Sequence, residues 1–416
     1  MPEFFNVLPP DEARELMLSH LTAVLPAETI PVDEALGRVT AVPIHSPHAL
    51  PAFRRSTMDG YAVKAPDTYG ASGSLPAFLQ VIGEVPMGRA AHIVLKTGEA
   101  AIVHTGGMIP ETANAVVQVE HTQTVDAGLH ARPPFEIEVM KAVAVGQNVL
   151  QVGEDVGLDA EILPAGHLLR PQDLGGLLAL GIIEIAVTRR PRVAILATGD
   201  EVIAPHEEAG PGQIRDINSY TVAGLVRQTG GIPILGGIIP DEFDALQSAA
   251  RHWLADADML VMSAGSSVSV RDMTVDAIDS LGEPGVLLHG VATRPGKPTI
   301  VGVVDGKPII GLPGNPVSAM VQFDMFGTPA IYRLQGTTTP RRGLVWARLS
   351  QNIASESGRE DYIPARLEDG EDGLTAVPVF GKSNLIYTLV NADGLIKAPL
   401  NKAGLLAGEQ VEVRLF

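Results

Sequence analysis

The chain has 416 residues, 45% hydrophobic and only 4% aromatic, so it can form two to four domains with cores built mainly from Val, Leu, Ile and Ala. A formal charge of -18 and a pI of about 5.0 exclude a non-specific binder of nucleic acid or of an anionic membrane surface, and an anionic ligand would need local neutralisation. Cysteine is absent, which excludes disulfides, thiolate metal sites, iron–sulfur clusters and a cysteine nucleophile, and agrees with a reducing cytoplasm.

The N-terminal stretch "MPEFFNVLPPDEARELMLSH" has no basic segment followed by an apolar core, so no secretory signal is expected. Asp11 is expected to cap a first helix, with Leu16, Met17, Leu21 and Val24 at helical spacing. From residue 46 the runs "LPAFLQVIGEV", "AAIVHTGG", "NAVVQVEHT" and "FEIEVMKAV", split by Gly and Pro, predict a small β domain over 46–150. "GLDAEILPAGHLLRPQDLGGLLALG" follows as connecting structure; its apolar run 177–183 is too short to span a membrane.

After residue 191 strands and helices alternate. "RVAILAT", "IPILGGII" and "DMLVMS" read as strands. "NSYTVAGLVRQTGG", with Asn218 as its cap, "EFDALQSAARHWLAD" and "DMTVDAIDSLG" read as helices. "TIVGVVDGKPIIGL" reads as a hairpin turning at Asp305-Gly306, and "PVSAMVQFDMFGTPAIYRL" as a last helix with Pro316 in its first turn. This pattern predicts a mostly parallel sheet with helices on both faces. Beyond "TTTPRRG", the runs "LVWARL", "LTAVPVF" and "QVEVRLF" predict a second small β domain.

Ligands of open α/β sheets bind beyond the carboxyl ends of the strands. Three predicted exits look alike: Thr198-Gly199-Asp200-Glu201, Ser263 to Asp272, and Gly311 to Ser318. Each joins glycine and small polar residues to a following helical segment, a combination that supplies backbone N–H groups and hydroxyl donors to an anion. Singly, each is an ordinary turn; three in one sheet argue for a ligand site. Asp200, Glu201, Asp241 and Asp272 also fall at strand ends. So many acids around an anion point to a hard cation such as Mg²⁺, the other reading being solvated helix caps. "RRSTMDGYAV" reads by itself as a polar turn, Ser56-Asp59-Gly60, before an apolar strand. The eleven histidines show no zinc spacing, and GxxxxGK[ST] is missing.

Taken together, "STMDGYAV" (56–63), "VGEDV" (152–156), "PRVAILATGDEV" (191–202), "GQIRDINSY" (212–220), "IIPDE" (238–242), "SAGSSVSVRD" (263–272), "RPGKPTIVG" (294–302) and "GLPGNPVS" (311–318) resemble the molybdopterin molybdenumtransferase family, the MoeA proteins and the gephyrin E domain. The resemblance runs over nearly the whole chain. It implies a multidomain α/β plus β protein: an elongated connecting and dimerisation domain (1–45 and 151–190), the small β domain (46–150), a mostly parallel α/β domain of molybdopterin-binding type (191–336) and a C-terminal barrel-like β domain (337–416). It implies a homodimer that inserts molybdate into adenylylated molybdopterin with Mg²⁺, releasing AMP and the molybdenum cofactor. Molybdopterin adenylyltransferase and molybdoenzyme apoproteins are its expected partners, and the cytoplasm its expected location. By motif, Asp59, Glu201, Asp241 and Asp272 would be the catalytic and metal-binding set, with Asp155 beside them. Thr198, Gly199, Ser263, Gly265, Ser267, Pro313, Gly314, Asn315, Pro316 and Ser318 would form the ligand pocket, and Arg294 and Lys297 would bind oxyanion.

The chain departs from the family pattern at Ala264, Ser269, Val270, Gly290, Leu150 and Gln151. The family has a lysine upstream of "RPGKP" where this chain has Gly290, and arginines where it has Leu150 and Gln151; loss of these cations is expected to weaken oxyanion binding. Two other readings therefore stand beside the enzyme: a non-catalytic protein that holds or delivers molybdopterin, and a pterin adenylyltransferase.

Overall fold

The computed structural model describes residues 7–125, 132–264, 268–341, 343–370 and 373–416. It divides into two compact units: Pro43–Pro164 with Gly175–Ile182, and Met1–Val42 with Ala165–Leu174 and Ile183–Phe416.

The first of these units is built on six strands: β1 (Gly60–Val63), β2 (Ala77–Glu84), β3 (Glu99–Val103), β4 (Ala115–Gln118), β5 (Thr122–Val125) and β6 (Phe135–Val139). They pair in the order β4-β1-β3-β2-β6-β5, with β2 and β3 parallel and the other pairs antiparallel. Every residue of β1 is buried because cores lie on both faces. Tyr61 and Val63 join Leu79, Val117 and Ile137, while Ala62 joins Val85, Leu95 and Val116. The alternation follows from the two-residue period of a strand.

In the second unit a six-stranded sheet contains β7 (Arg192–Thr198), β8 (Ile232–Ile239), β9 (Met259–Ala264), β10 (Pro284–His289), β11 (Ile300–Val304) and β12 (Lys307–Pro313). Their order is β8-β7-β9-β12-β11-β10; the first four are mutually parallel, and β11 and β10 close the sheet antiparallel. The hairpin turns as expected at Asp305-Gly306, both at positive φ. Helix α1 (Pro10–Ser19) precedes the sheet; α2 (Asn218–Gln228), α3 (Phe243–Asp256), α4 (Val268–Asp279), α5 (Pro316–Gln322) and α6 (Thr328–Leu334) follow its strands. Successive residues of each central strand face opposite cores. Val193, Ile195, Met259 and Val261 pack with α1, α2, α5 and α6; Ala194, Leu196, Leu260 and Met262 pack with α3 and α4. Burial on both sides explains why these strands read as unbroken apolar runs.

The C-terminal strands β13 (Leu344–Leu349), β14 (Glu360–Gly370), β15 (Gly373–Pro378), β16 (Gly394–Ala398) and β17 (Gln410–Leu415) pair in the order β14-β15-β13-β17-β16, and β16 returns to β14, so they close into a barrel. The two-residue strand Thr293–Arg294 pairs in parallel with β14, setting Arg294 opposite Asp361.

Three local expectations are corrected. Pro9 precedes α1 and Asp11 sits inside its first turn, bonded to Arg14 at 2.7 Å, so Asp11 is not the cap. Asn218 is the first residue of α2 and does not cap it; Asp216 Oδ1 accepts from the Ser219 N–H at 3.0 Å instead. The last helix is divided by a π-helical segment, Phe323–Gly327, because Pro329 has no N–H to continue the α ladder.

Candidate functional site

Parallel strands in the order β8-β7-β9-β12 deliver their carboxyl ends to one edge of the sheet. Thr198, Ile239, Ala264 and Pro313, the last residues of these strands, therefore stand side by side along one edge, where ligands of such sheets bind. Thr198 and Ser263 are buried at adjacent exits, and the Thr198 hydroxyl donates to the Ser263 carbonyl at 3.4 Å. Asn218, 8% exposed at the start of α2, donates from Nδ2 to Ser263 Oγ at 3.0 Å and to the Gly314 carbonyl at 2.8 Å. One amide thus ties the exit of β9 to the exit of β12, while its Oδ1 is buried with no partner among the described residues. Pro316 opens α5 and Ser318 is buried in its first turn. Gly265 and Ser267 lie outside the described residues, as do the side chains of Ala264, Ser269 and Val270.

Acids gather at the exits of β7 and β8. The Asp241 N–H donates to Asp200 Oδ1 at 3.3 Å, and the Glu201 carboxylate folds back over Gly199. Asp241 Oδ1 is buried with no partner among the described residues. Burial, then the charges of Asp200 and Glu201, push the Asp241 carboxyl above the usual range. Asp272 is exposed in the first turns of α4. Among the described residues no three His, Cys, Asp or Glu side chains converge as a metal-holding group. Asp59 belongs to the small β unit. Its Oδ1 accepts the Thr105 N–H at 2.9 Å and lies 3.8 Å from His104 Nδ1, while the other ring nitrogen of His104 meets Glu84 at 2.9 Å. Arg54 is committed to the carbonyls of Ala113 and Glu111, which makes it a structural residue of that unit.

The second feature is a cavity of about 930 Å³ in the unit of the parallel sheet and the barrel. Arg294, Lys297, Pro313, Asn315 and Ser318 line it, so five of the residues expected to bind ligand meet there. Three lining groups were not anticipated: Arg359, Lys382 and Asp361. Together the walls carry four cations against one carboxylate, a local reversal of the chain's -18. Asp361, 4% exposed in its side chain, holds Arg359 at 2.8 Å and stands 3.9 Å from Arg294. The Thr293 hydroxyl, on a residue of the lining, is buried with no partner among the described residues. The loop of β12 joins both features: Gly314 is held by Asn218, and Asn315 Nδ2 donates to Ser383 Oγ at 3.0 Å. The barrel residues carry no motif of their own, and only tertiary packing brings them to Arg294. Gly290 has φ +116°, a conformation a lysine side chain would strain, so this backbone suits glycine.

Three family models match in sequence along the chain: the MoeA N-terminal region (domain I and II) over residues 8–181, a probable molybdopterin binding domain over 194–333, and the MoeA C-terminal region (domain IV) over 346–416. Molybdopterin molybdenumtransferase 2 of Mycobacterium tuberculosis is 33% identical over 389 residues, 92% of this chain and 94% of that one. A putative molybdopterin biosynthesis protein of Methanocaldococcus jannaschii is 34% identical over 99% of this chain and 98% of its own. Among solved structures, the molybdopterin biosynthesis MoeA protein of Pyrococcus horikoshii superposes with a TM-score of 0.84 at 32% identity, covering 99% of this chain and 100% of that one.

Proposed function

The chain belongs to the MoeA family, and from that premise we propose that it is a molybdopterin molybdenumtransferase of molybdenum cofactor biosynthesis, inserting molybdate into adenylylated molybdopterin with Mg²⁺ and releasing AMP. The observation that carries this reading is the loop 313–318, which joins the hydroxyl-bearing strand exits to a cationic cavity large enough for a nucleotide-sized anion.

The chain supplies no covalent nucleophile in this reading, since the dithiolene sulfurs of the substrate capture molybdenum. Its task is to hold oxyanions and to neutralise the phosphoanhydride as it breaks. Arg294 and Lys297 hold the oxyanion from the cavity wall, with Arg359 kept in place by Asp361. Thr198, Ser263 and the backbone of the 313–318 loop hold the phosphates. Asp241, with an orphaned carboxylate oxygen and two acidic neighbours, fits a divalent cation, with Glu201, Asp272 and Asp59 as the remaining candidate ligands. Mg²⁺ takes one or two carboxylates and completes its shell with phosphate and water, so it needs no three-residue cage. When bound, the cation would add neutralising charge at the phosphate oxygens.

The active protein is proposed as a cytoplasmic homodimer with the four-part division given above, taking its substrate from molybdopterin adenylyltransferase and serving molybdoenzyme apoproteins. Among the described residues no helix is long and apolar enough to cross a membrane. The test is incubation with adenylylated molybdopterin, Mg²⁺ and molybdate. Release of AMP with formation of molybdenum cofactor is the expected result. Tight binding without AMP release supports the delivery reading, and adenylylation of molybdopterin from ATP supports the adenylyltransferase reading.

A further inference from the structure

We infer that Asn218 is a positioning residue that fixes the Ser263 hydroxyl as a donor toward the bound anion while locking the Gly314 loop beside it. The inference rests on the proposed reading of the strand exits as the substrate's phosphate site.

The argument follows from donor and acceptor counting. The Gly314 carbonyl can only accept, so the Asn218 amide must present Nδ2 to it, at 2.8 Å. The second N–H of that nitrogen goes to Ser263 Oγ at 3.0 Å. Ser263 is thereby cast as acceptor toward Asn218, and its own hydrogen must point elsewhere. Among the described residues that hydrogen has no acceptor, although Ser263 is 5% exposed. A buried hydroxyl with an unused hydrogen at a strand exit is completed by an anionic oxygen. The accepted N–H also polarises the hydroxyl and strengthens it as a donor. Asn218 Oδ1 is buried with no partner among the described residues, so the amide is held there by its donors alone and cannot turn without losing both bonds. Asp216, capping α2 through Ser219, keeps Asn218 free for this task.

The experiment is a double-mutant cycle on the full-length protein, reading KM and kcat for adenylylated molybdopterin and, separately, the dissociation constant for AMP by calorimetry. Ser263→Ala and Asn218→Ala should each raise KM about tenfold, the size of one lost hydrogen bond to a charged group. The double variant should raise KM by clearly less than the product of the two single effects, because part of the Asn218 effect passes through that hydroxyl and the rest through the Gly314 loop. Asn218→Asp, of the same shape, should be worse than Asn218→Ala. Its carboxylate accepts the Ser263 hydrogen and turns the donor inward. A thermal melt identifies any variant that fails to fold, and Asn218→Asp and Asn218→Ser then complete the cycle. Independent, multiplying effects of the two substitutions, or an Asn218→Asp variant with unchanged KM and AMP affinity, overturn the inference and leave the proposed function standing. A wild-type protein that neither binds nor cleaves adenylylated molybdopterin removes the reading on which it rests.

Discussion

Asp241 shows how much one side chain at a strand exit can carry. Its carboxyl is raised by burial first and by Asp200 and Glu201 second. A raised acid favours its protonated form in the fold, so it costs stability once pH rises through the carboxylate range toward the raised value, and that cost persists above it. In EDTA at neutral pH, Asp241→Asn should therefore melt higher than wild type, and the difference should close as pH falls below the ordinary carboxylate range. Adding Mg²⁺ should raise the wild-type melting temperature and leave the variant nearly unmoved. Equal responses of the two proteins to Mg²⁺ would remove Asp241 from the cation site. This acid was legible in the sequence because parallel strands put polar residues at their ends. Its buried, orphaned oxygen and its direct contact with Asp200 were not, since they depend on β8 lying next to β7.

At the level of elements, β1 of the small β unit is buried along its whole length. A side chain added at Gly60 would stand 2.0 Å from the Val117 carbonyl oxygen, inside a strand pair that cannot open without breaking its ladder. Gly60→Ala should destabilise that unit by more than about 3 kcal/mol, seen as a drop in its denaturant midpoint, because a buried backbone must move. A wild-type midpoint would show that the strand pair yields. Helix α2 carries a milder expectation. Asp216→Ala removes the acceptor at its N-terminus, which should cost about 1 kcal/mol in the melt and also loosen Asn218. The sequence pointed to Asn218 as the cap because Asn is a good capping residue. The structure gives that work to Asp216, two residues earlier, and releases Asn218 for the two loops.

At the scale of the molecule, the proposed site draws on distant parts of the chain: Asp59 precedes β1, and Asp272 lies in α4. If each site of a two-fold dimer takes Asp59 from one subunit and Asp272 from the other, Asp59→Asn and Asp272→Asn should each be inactive alone. Refolded together in equal amounts, half of the dimers are mixed and each carries one intact site, so about a quarter of wild-type AMP release should return. Tagged chains verify the exchange. Activity that stays at the level of the single variants after complete exchange would show that Asp59 serves its own subunit.

The apolar runs at residues 192–198, 232–239 and 259–264, the Asp305-Gly306 turn and the polar strand exits were all legible in the sequence, since period, turn chemistry and small polar residues are local properties. The family motifs likewise marked Arg294 and Lys297. Tertiary structure alone decided what stands opposite them. Barrel closure through β14 and β16 brings Arg359, Asp361 and Lys382 to the same cavity, and the order β7-β9-β12 sets Ser263 and Gly314 within reach of one amide. Such encounters join residues far apart in the chain and follow from sheet order, and no local pattern records sheet order.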